Sequence, residues 1–271
     1  MNLLQRLMLA VSAVAVAAPS GCEPPLPTPT SQCPNFVNGT VTIRAGGQNR
    51  SVRIFMDPAA AASKDGPLVF YFYGTGGNPE QARSSLGDAN IARITAAGGM
   101  VVAPTHINSG TFPWILAGDT DLPLVDEVVA CAKAGVGIDG TRIHVTGFSA
   151  GGLYASGLSL QRSSFIASVA PISGGSAGPY QDPNNKYAAM IIHGGPSDVL
   201  LVNFQQQSIG FRDQLVRDGH FAFICNHGGG HRVPSGIGTH IVQFFFDHPF
   251  GANPSLYAGG LPSTFPSYCT L

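Results

Sequence analysis

Short apolar runs alternate along the chain with longer segments whose apolar positions recur at helical spacing, and Gly-, Pro- and Asn-rich breaks separate them. Pro67-Leu68-Val69-Phe70-Tyr71-Phe72-Tyr73 is almost continuously apolar, the pattern of a strand covered on both faces of a parallel sheet. Met100 to Pro104, the segment ending at Phe148, Ile166 to Ile172, Ala188 to Ile192 and Phe221 to Cys225 read the same way. Between them, Pro79 to Ala97, Asp121 to Ala134, Leu153 to Leu160, Phe204 to Asp218 and Gly238 to Phe246 carry helical spacing. Upstream, Phe36 to Arg44 and Ser51 to Met56 form a hairpin through Gly46-Gly47. This alternation predicts an α/β domain with a mostly parallel central sheet covered by helices on both faces. After Asp247 the tail is rich in Pro, Gly and aromatics and is expected to wrap the surface as ordered coil.

The 271 residues are 44% hydrophobic and only 11% charged, with 35 Gly and 21 Pro, a composition that suits one large core with long ordered loops. Residues 1–21 contain Arg6 and no acid, and Leu7 to Ala18 is a short apolar core, so this stretch reads as an export signal too short to span a bilayer. Two processing readings follow. Ala15-Val16-Ala17 fits signal-peptidase cleavage, whereas Pro19-Ser20-Gly21-Cys22 resembles a bacterial lipobox with Cys22 as the lipidated residue, tethering the protein to a membrane. Residues 22–32, rich in Pro and Thr, read as an extended tether, and 33–271 as one catalytic domain. Without residues 1–21 the chain holds 13 Lys+Arg against 15 Asp+Glu and no basic run, which excludes a nucleic-acid partner; a monomer is expected.

Setting Cys22 aside leaves Cys33, Cys131, Cys225 and Cys269, an even set that fits two disulfides in an oxidising compartment. Three pairings are possible. Cys33 and Cys269 flank the folded region, so a bridge tying both ends is the expected one, with Cys131 paired to Cys225. No Cys/His cluster has metal-site spacing, and neither metal nor cofactor is expected.

The richest chemical signal is Arg142-Ile143-His144-Val145-Thr146-Gly147-Phe148-Ser149-Ala150-Gly151-Gly152, a strand pattern that runs into Gly-x-Ser-x-Gly ahead of a helix. A serine between glycines at such a turn holds its hydroxyl outward in a strained conformation. A hydroxyl is a poor nucleophile at neutral pH, so an imidazole must take its proton and a carboxylate must orient that imidazole. Functional residues of such sheets gather at the carboxyl ends of strands. Two later strand ends supply them: His193-Gly194-Gly195-Pro196-Ser197-Asp198, and Asn226-His227-Gly228-Gly229-Gly230-His231. Ser149 is thus the candidate nucleophile, His231 the base and Asp198 its orienter, with His227 the rival base and His193 structural. The competing role for Asp198 is to cap the following helix. Tyr73-Gly74-Thr75-Gly76-Gly77 follows the central strand, and an oxyanion hole is expected from the amides of Thr75 and Ala150, with Gly76 the alternative donor. Tyr73, Phe148 and Trp114, the only Trp, are candidate walls of a substrate cleft.

Taken together, Tyr73-Gly74-Thr75-Gly76-Gly77, Gly147-Phe148-Ser149-Ala150-Gly151-Gly152, His193-Gly194 with Asp198, and Gly229-Gly230-His231 resemble the α/β-hydrolase superfamily, in particular secreted esterases of the polyhydroxybutyrate depolymerase and feruloyl esterase type. The resemblance spans Phe36 to about Phe250 and implies the α/β-hydrolase fold. It also implies an acyl-enzyme mechanism on carboxylic esters, small or polymeric, without metal or nucleotide. The chain departs from that pattern at Tyr73, where such enzymes often carry His. A serine peptidase or acyltransferase of the same fold, and a non-catalytic surface binding protein on a hydrolase scaffold, are the competing readings.

Overall fold

The computed structural model describes residues 23–108, 110, 112–114 and 121–271. Residues 1–22, on which the export-signal and lipidation readings fall, lie outside the described residues. A hairpin of β1 (Gly39–Ala45) and β2 (Gln48–Met56) opens the fold, and a short helix, α1 (Pro58–Ala61), follows. Then come β3 (Leu68–Phe72), α2 (Gln81–Leu86), α3 (Asp88–Ala96), β4 (Met100–Pro104), α4 (Leu122–Gly135), β5 (Ile143–Phe148) and α5 (Ala150–Gln161). The second half adds β6 (Ser168–Ile172), β7 (Ala188–His193), α6 (Phe204–Arg217), β8 (Ala222–Asn226), α7 (Ile237–Asp247) and β9 (Cys269–Thr270). The nine strands form one sheet in the order β1-β2-β4-β3-β5-β6-β7-β8-β9. Strands β3 to β8 pair in parallel, and antiparallel neighbours close both edges.

Strand alternation sorts the helices onto two faces. Phe72 packs its ring on Tyr154 of α5, whereas the neighbouring Tyr71, pointing the other way, bonds its hydroxyl to Ser85 of α2 at 2.6 Å. Tyr71 lies beside Thr146 in the β3–β5 register, so His144, two residues earlier, faces α2's side. There it stacks on Phe245 of α7. Burial on both faces explains why the central strands read as unbroken apolar runs.

The expected helix from Pro79 to Ala97 is two helices. Gly87 adopts φ 87°, which breaks the helical path, and α3 restarts immediately after it. The tail is largely irregular, as its composition implies, but its end adds β9 to the edge of the sheet, too short a segment to carry a periodic signal.

The cysteine pairing differs from the expected one. Cys33 bonds Cys131, and Cys225 bonds Cys269. Cys225 and Cys269 are direct partners in the β8–β9 register, so the tail's return to the sheet brings them together. Cys131 lies on α4, which packs beside β1, and there it meets the N-terminal segment. That segment is extended, as its prolines require, yet it is docked on α4. The buried Glu127 carboxylate accepts the Thr30 and Ser31 N–H groups, each at 2.9 Å, and both hydroxyls. Burial raises the Glu127 pKa, but these donors outweigh it and hold the carboxyl below its ordinary value. Loop-closure entropy for the 44-residue separation of Cys225 and Cys269 gives about 4 kcal/mol. The Cys225→Ser/Cys269→Ser double variant is therefore expected to unfold at clearly lower denaturant; an unchanged midpoint would count against the linkage.

Candidate active site

Ser149 stands between the end of β5 and the first residue of α5 with φ 59° and ψ −122°. A non-glycine residue there costs about 1–3 kcal/mol, which the surrounding structure must offset. The flanking glycines make the turn possible because strand and helix nearly touch. A Cβ on Gly151 would lie 2.0 Å from the Phe72 carbonyl oxygen, and one on Gly147 2.5 Å from the Gly151 oxygen. The Ser149 N–H donates to the Ile172 carbonyl at 3.0 Å, tying the turn to β6.

The Ser149 hydroxyl oxygen lies 2.8 Å from His231 Nε2, and His231 Nδ1 lies 2.7 Å from Asp198 Oδ1. The three residues come from the ends of β5, β7 and β8. The imidazole packs against the rings of Phe148 and Phe204, with ring centroids at 4.9 and 4.5 Å, which restrains it without adding charge. Asp198 is wholly buried. Its second oxygen accepts the Gly194 N–H and the Ser173 hydroxyl, both at 2.8 Å. Burial alone would raise its pKa; the bonds from His231, Gly194 and Ser173, with the histidine's charge, outweigh that and hold the carboxyl below its ordinary range. Asp198 therefore stays ionised, as a partner for an imidazolium must. The helix after it is capped by Asn203, whose side chain accepts the Gln206 N–H at 3.0 Å.

A cleft of about 270 Å³ opens at Ser149 and His231, walled by Gly74, Thr75, Gln81, Phe112, Phe148, Ala150, Leu200, Leu201, Val202 and Phe204. Among the described lining residues none is a carboxylate, lysine or arginine. Leu200 and Leu201 are 64% and 79% exposed at the rim, an unusual position for consecutive leucines unless something apolar meets them. Ala150 heads α5, where a helix leaves its backbone N–H without an intrahelical acceptor.

No family model matches the chain. It is 26% identical to feruloyl esterase D of Neurospora crassa over 224 residues, covering 78% of this chain and 72% of that protein. It is 28% identical to a probable feruloyl esterase C of Aspergillus terreus over 211 residues, 75% of this chain and 73% of that one. The crystal structure of native pOPH superposes with a TM-score of 0.70 at 18% identity, covering 88% and 96% of the two chains. The chain has the α/β-hydrolase fold and is a carboxylic ester hydrolase.

Within this esterase the sequence candidates fall into three groups. Ser149, Asp198, His231, Thr75, Ala150 and Phe148 meet at one cleft or directly behind it. Gly76 stands back from the wall. It takes φ 73° at the third position of a turn that the Gly77 N–H closes onto the Gly74 carbonyl at 2.9 Å, a role for which glycine is needed. Tyr73 and Trp114 are not among the described residues lining the cleft, and both are buried. Each buries its ring by finding a partner for its polar tip: Trp114 Nε1 donates to the Tyr73 carbonyl at 2.8 Å, and the Tyr73 hydroxyl accepts the His106 N–H at 3.1 Å. Among the described residues of that loop, Phe112 lines the cleft.

The other two candidate histidines, His193 and His227, are turn-formers. Nδ1 of His193 accepts the Gly195 N–H at 3.0 Å and Nδ1 of His227 accepts the Gly229 N–H at 3.2 Å. Burial lowers the pKa of both imidazoles, which suits these neutral acceptor roles. Ser173, Gln81 and the run Leu200-Leu201-Val202 had not been anticipated. The run carried a readable signal, three apolar residues in a loop two positions after Asp198. Ser173 carried none, because its φ of 46° and its reach to Asp198 depend on the packed β6 and β7 ends.

Proposed function

We propose that the esterase works through an acyl-enzyme formed on Ser149. Ser149 Oγ attacks the ester carbonyl carbon as His231 Nε2 takes the hydroxyl proton, and the oxyanion is held by the N–H groups of Thr75 and Ala150. Collapse of the tetrahedral adduct breaks the bond to the alcohol, which leaves with the proton from His231. Water then attacks the acyl-enzyme, again giving its proton to His231, and the acid departs as Ser149 Oγ recovers a proton. Asp198 fixes the imidazole with Nδ1 as donor and offsets its positive charge. The reading rests on one observation above others, the unbroken chain of 2.8 and 2.7 Å contacts from Ser149 through His231 to Asp198.

The cleft, largely apolar and without a carboxylate, lysine or arginine among its described lining residues, favours neutral aryl or aliphatic acyl groups, of the feruloyl or polyhydroxyalkanoate kind, over acyl groups that carry a charge. Two disulfides agree with folding in an oxidising compartment, and we extend the proposal to an exported protein, with Cys22 as the lipid-attachment residue. Among the described residues, no helix is long and apolar enough to cross a membrane.

Purified protein should hydrolyse p-nitrophenyl butyrate and methyl ferulate, and turnover of neither would refute the proposal. Leu201→Asp is expected to lower kcat/KM on the more apolar of these esters by about 10-fold, through a change of roughly 1–3 kcal/mol in the apolar rim. Equal kcat/KM in variant and parent would remove the rim from substrate recognition.

A further inference from the structure

The Thr75 amide can serve an oxyanion only if its peptide plane is fixed, yet it sits on Tyr73-Gly74-Thr75-Gly76-Gly77, a loop with three glycines. Two side chains restrain it, Trp114 from beneath the surface and Gln81 from the wall of the cleft. The carbonyl of the Tyr73–Gly74 peptide accepts Trp114 Nε1–H at 2.8 Å, and the N–H of the same peptide donates to Gln81 Oε1 at 2.9 Å. A trans peptide points these two groups in opposite directions, so the plane is gripped from both sides. The next plane begins at Gly74, whose carbonyl accepts the Gly77 N–H at 2.9 Å, and this sets the Thr75 N–H on the opposite side of that plane.

Both gripping residues are themselves held. Trp114 is packed among Phe72, Tyr73, His106 and Tyr154, with ring centroids 5.0–5.8 Å away. Gln81 begins α2, and its Oε1 also lies 3.4 Å from the Tyr71 hydroxyl. The clamped loop lies directly over the nucleophile: a Cβ on Gly74 would sit 3.1 Å from Ser149 Cβ. Displacement of the loop would therefore change the relation of the Thr75 amide to Ser149 before it changed anything else.

We infer that Gln81 and Trp114 are positioning residues for the oxyanion hole, acting together on the Tyr73–Gly74 peptide. The inference rests on the acyl-enzyme reading of Ser149. Gln81→Met removes the acceptor of the Gly74 N–H, and with it the longer contact to the Tyr71 hydroxyl, while keeping side-chain bulk; Trp114→Phe removes the indole N–H at the cost of one ring. Each is expected to lower kcat by roughly 10- to 100-fold, the scale of an ångström-sized misplacement, and to leave KM within about twofold. Affinity for an aryl boronic acid, which forms a tetrahedral adduct, should fall in parallel with kcat. The double variant should lose less than the product of the two single losses, because both bonds hold one peptide.

Either residue keeping kcat within twofold overturns the inference, as does a raised KM with unchanged kcat, which would make the pair substrate contacts. Gln81 is on a half-buried surface helix position, so Gln81→Met decides the matter alone if Trp114→Phe does not fold. Complete fluorophosphonate labelling of the parent at Ser149 separates the two levels. Without it the acyl-enzyme reading fails; with it and an undiminished kcat in the variants, only the clamp fails.

Discussion

Replacing Ser149 by alanine is expected to lower kcat for p-nitrophenyl butyrate by about 10⁵-fold or more, with the fold and melting temperature retained. The loss should be this large because Ser149 Oγ forms the bond that defines the intermediate, and it is the cleft hydroxyl that lies against His231 Nε2. Removal of the hydroxyl also relieves no packing defect, since the strained φ of 59° belongs to the turn and persists in alanine. Some rate above that in water should survive, from the amides that polarise the carbonyl. A variant with more than a few per cent of parental kcat would mean that Ser149 is a turn residue and that the chemistry lies elsewhere.

The second large effect is expected from Asp198→Asn, about 10⁴-fold in kcat. The geometry specifies how it arises. The oxygen of the new amide would remain where the Gly194 N–H and the Ser173 hydroxyl donate, because both positions require an acceptor. The amide nitrogen would then face His231 Nδ1, a donor where the imidazole now donates. His231 would have to carry its proton on Nε2 and present a donor to Ser149, so it could no longer take the serine proton. KM should change little, since Asp198 is wholly buried behind the cleft. Ser173→Ala, which removes only one donor to the far oxygen, should have a much smaller effect than Asp198→Asn.

Much of this arrangement was legible in the sequence for an identifiable physical reason. A strand buried on both faces must be apolar along its whole length, and the residues after it must leave the core, so Tyr73, Phe148, Ile192 and Cys225 mark the strand ends in the sequence, within one residue of the observed ends. Candidate groups placed just beyond those ends are brought together by sheet topology. The small residues around Ser149 were legible too, since Gly147 and Gly151 answer to a close backbone approach that few other residue types allow.

What was not legible depends on long-range return of the chain. The expected bridge from Cys33 to Cys269 assumed that the two ends meet. Instead each end docks separately, one on α4 and the other on β8, at opposite edges of the sheet. Tyr73 and Trp114 were expected in the cleft because aromatic residues on loops near strand ends commonly line one. Here the indole N–H and the phenol each find a backbone partner beneath the surface, which makes burial favourable. Gln81 gave no sign at all. A glutamine at a helix start is ordinary, and only the position of the Gly74 amide gives it a task.

The central claim is that Ser149 is the nucleophile activated by His231. Mass spectrometry of the intact protein and its peptides after reaction with a fluorophosphonate tests it most directly. One adduct per chain, located on Ser149 and absent when His231 is replaced by alanine, is the predicted result. An unlabelled Ser149 in active protein, or an adduct on another residue, would contradict it.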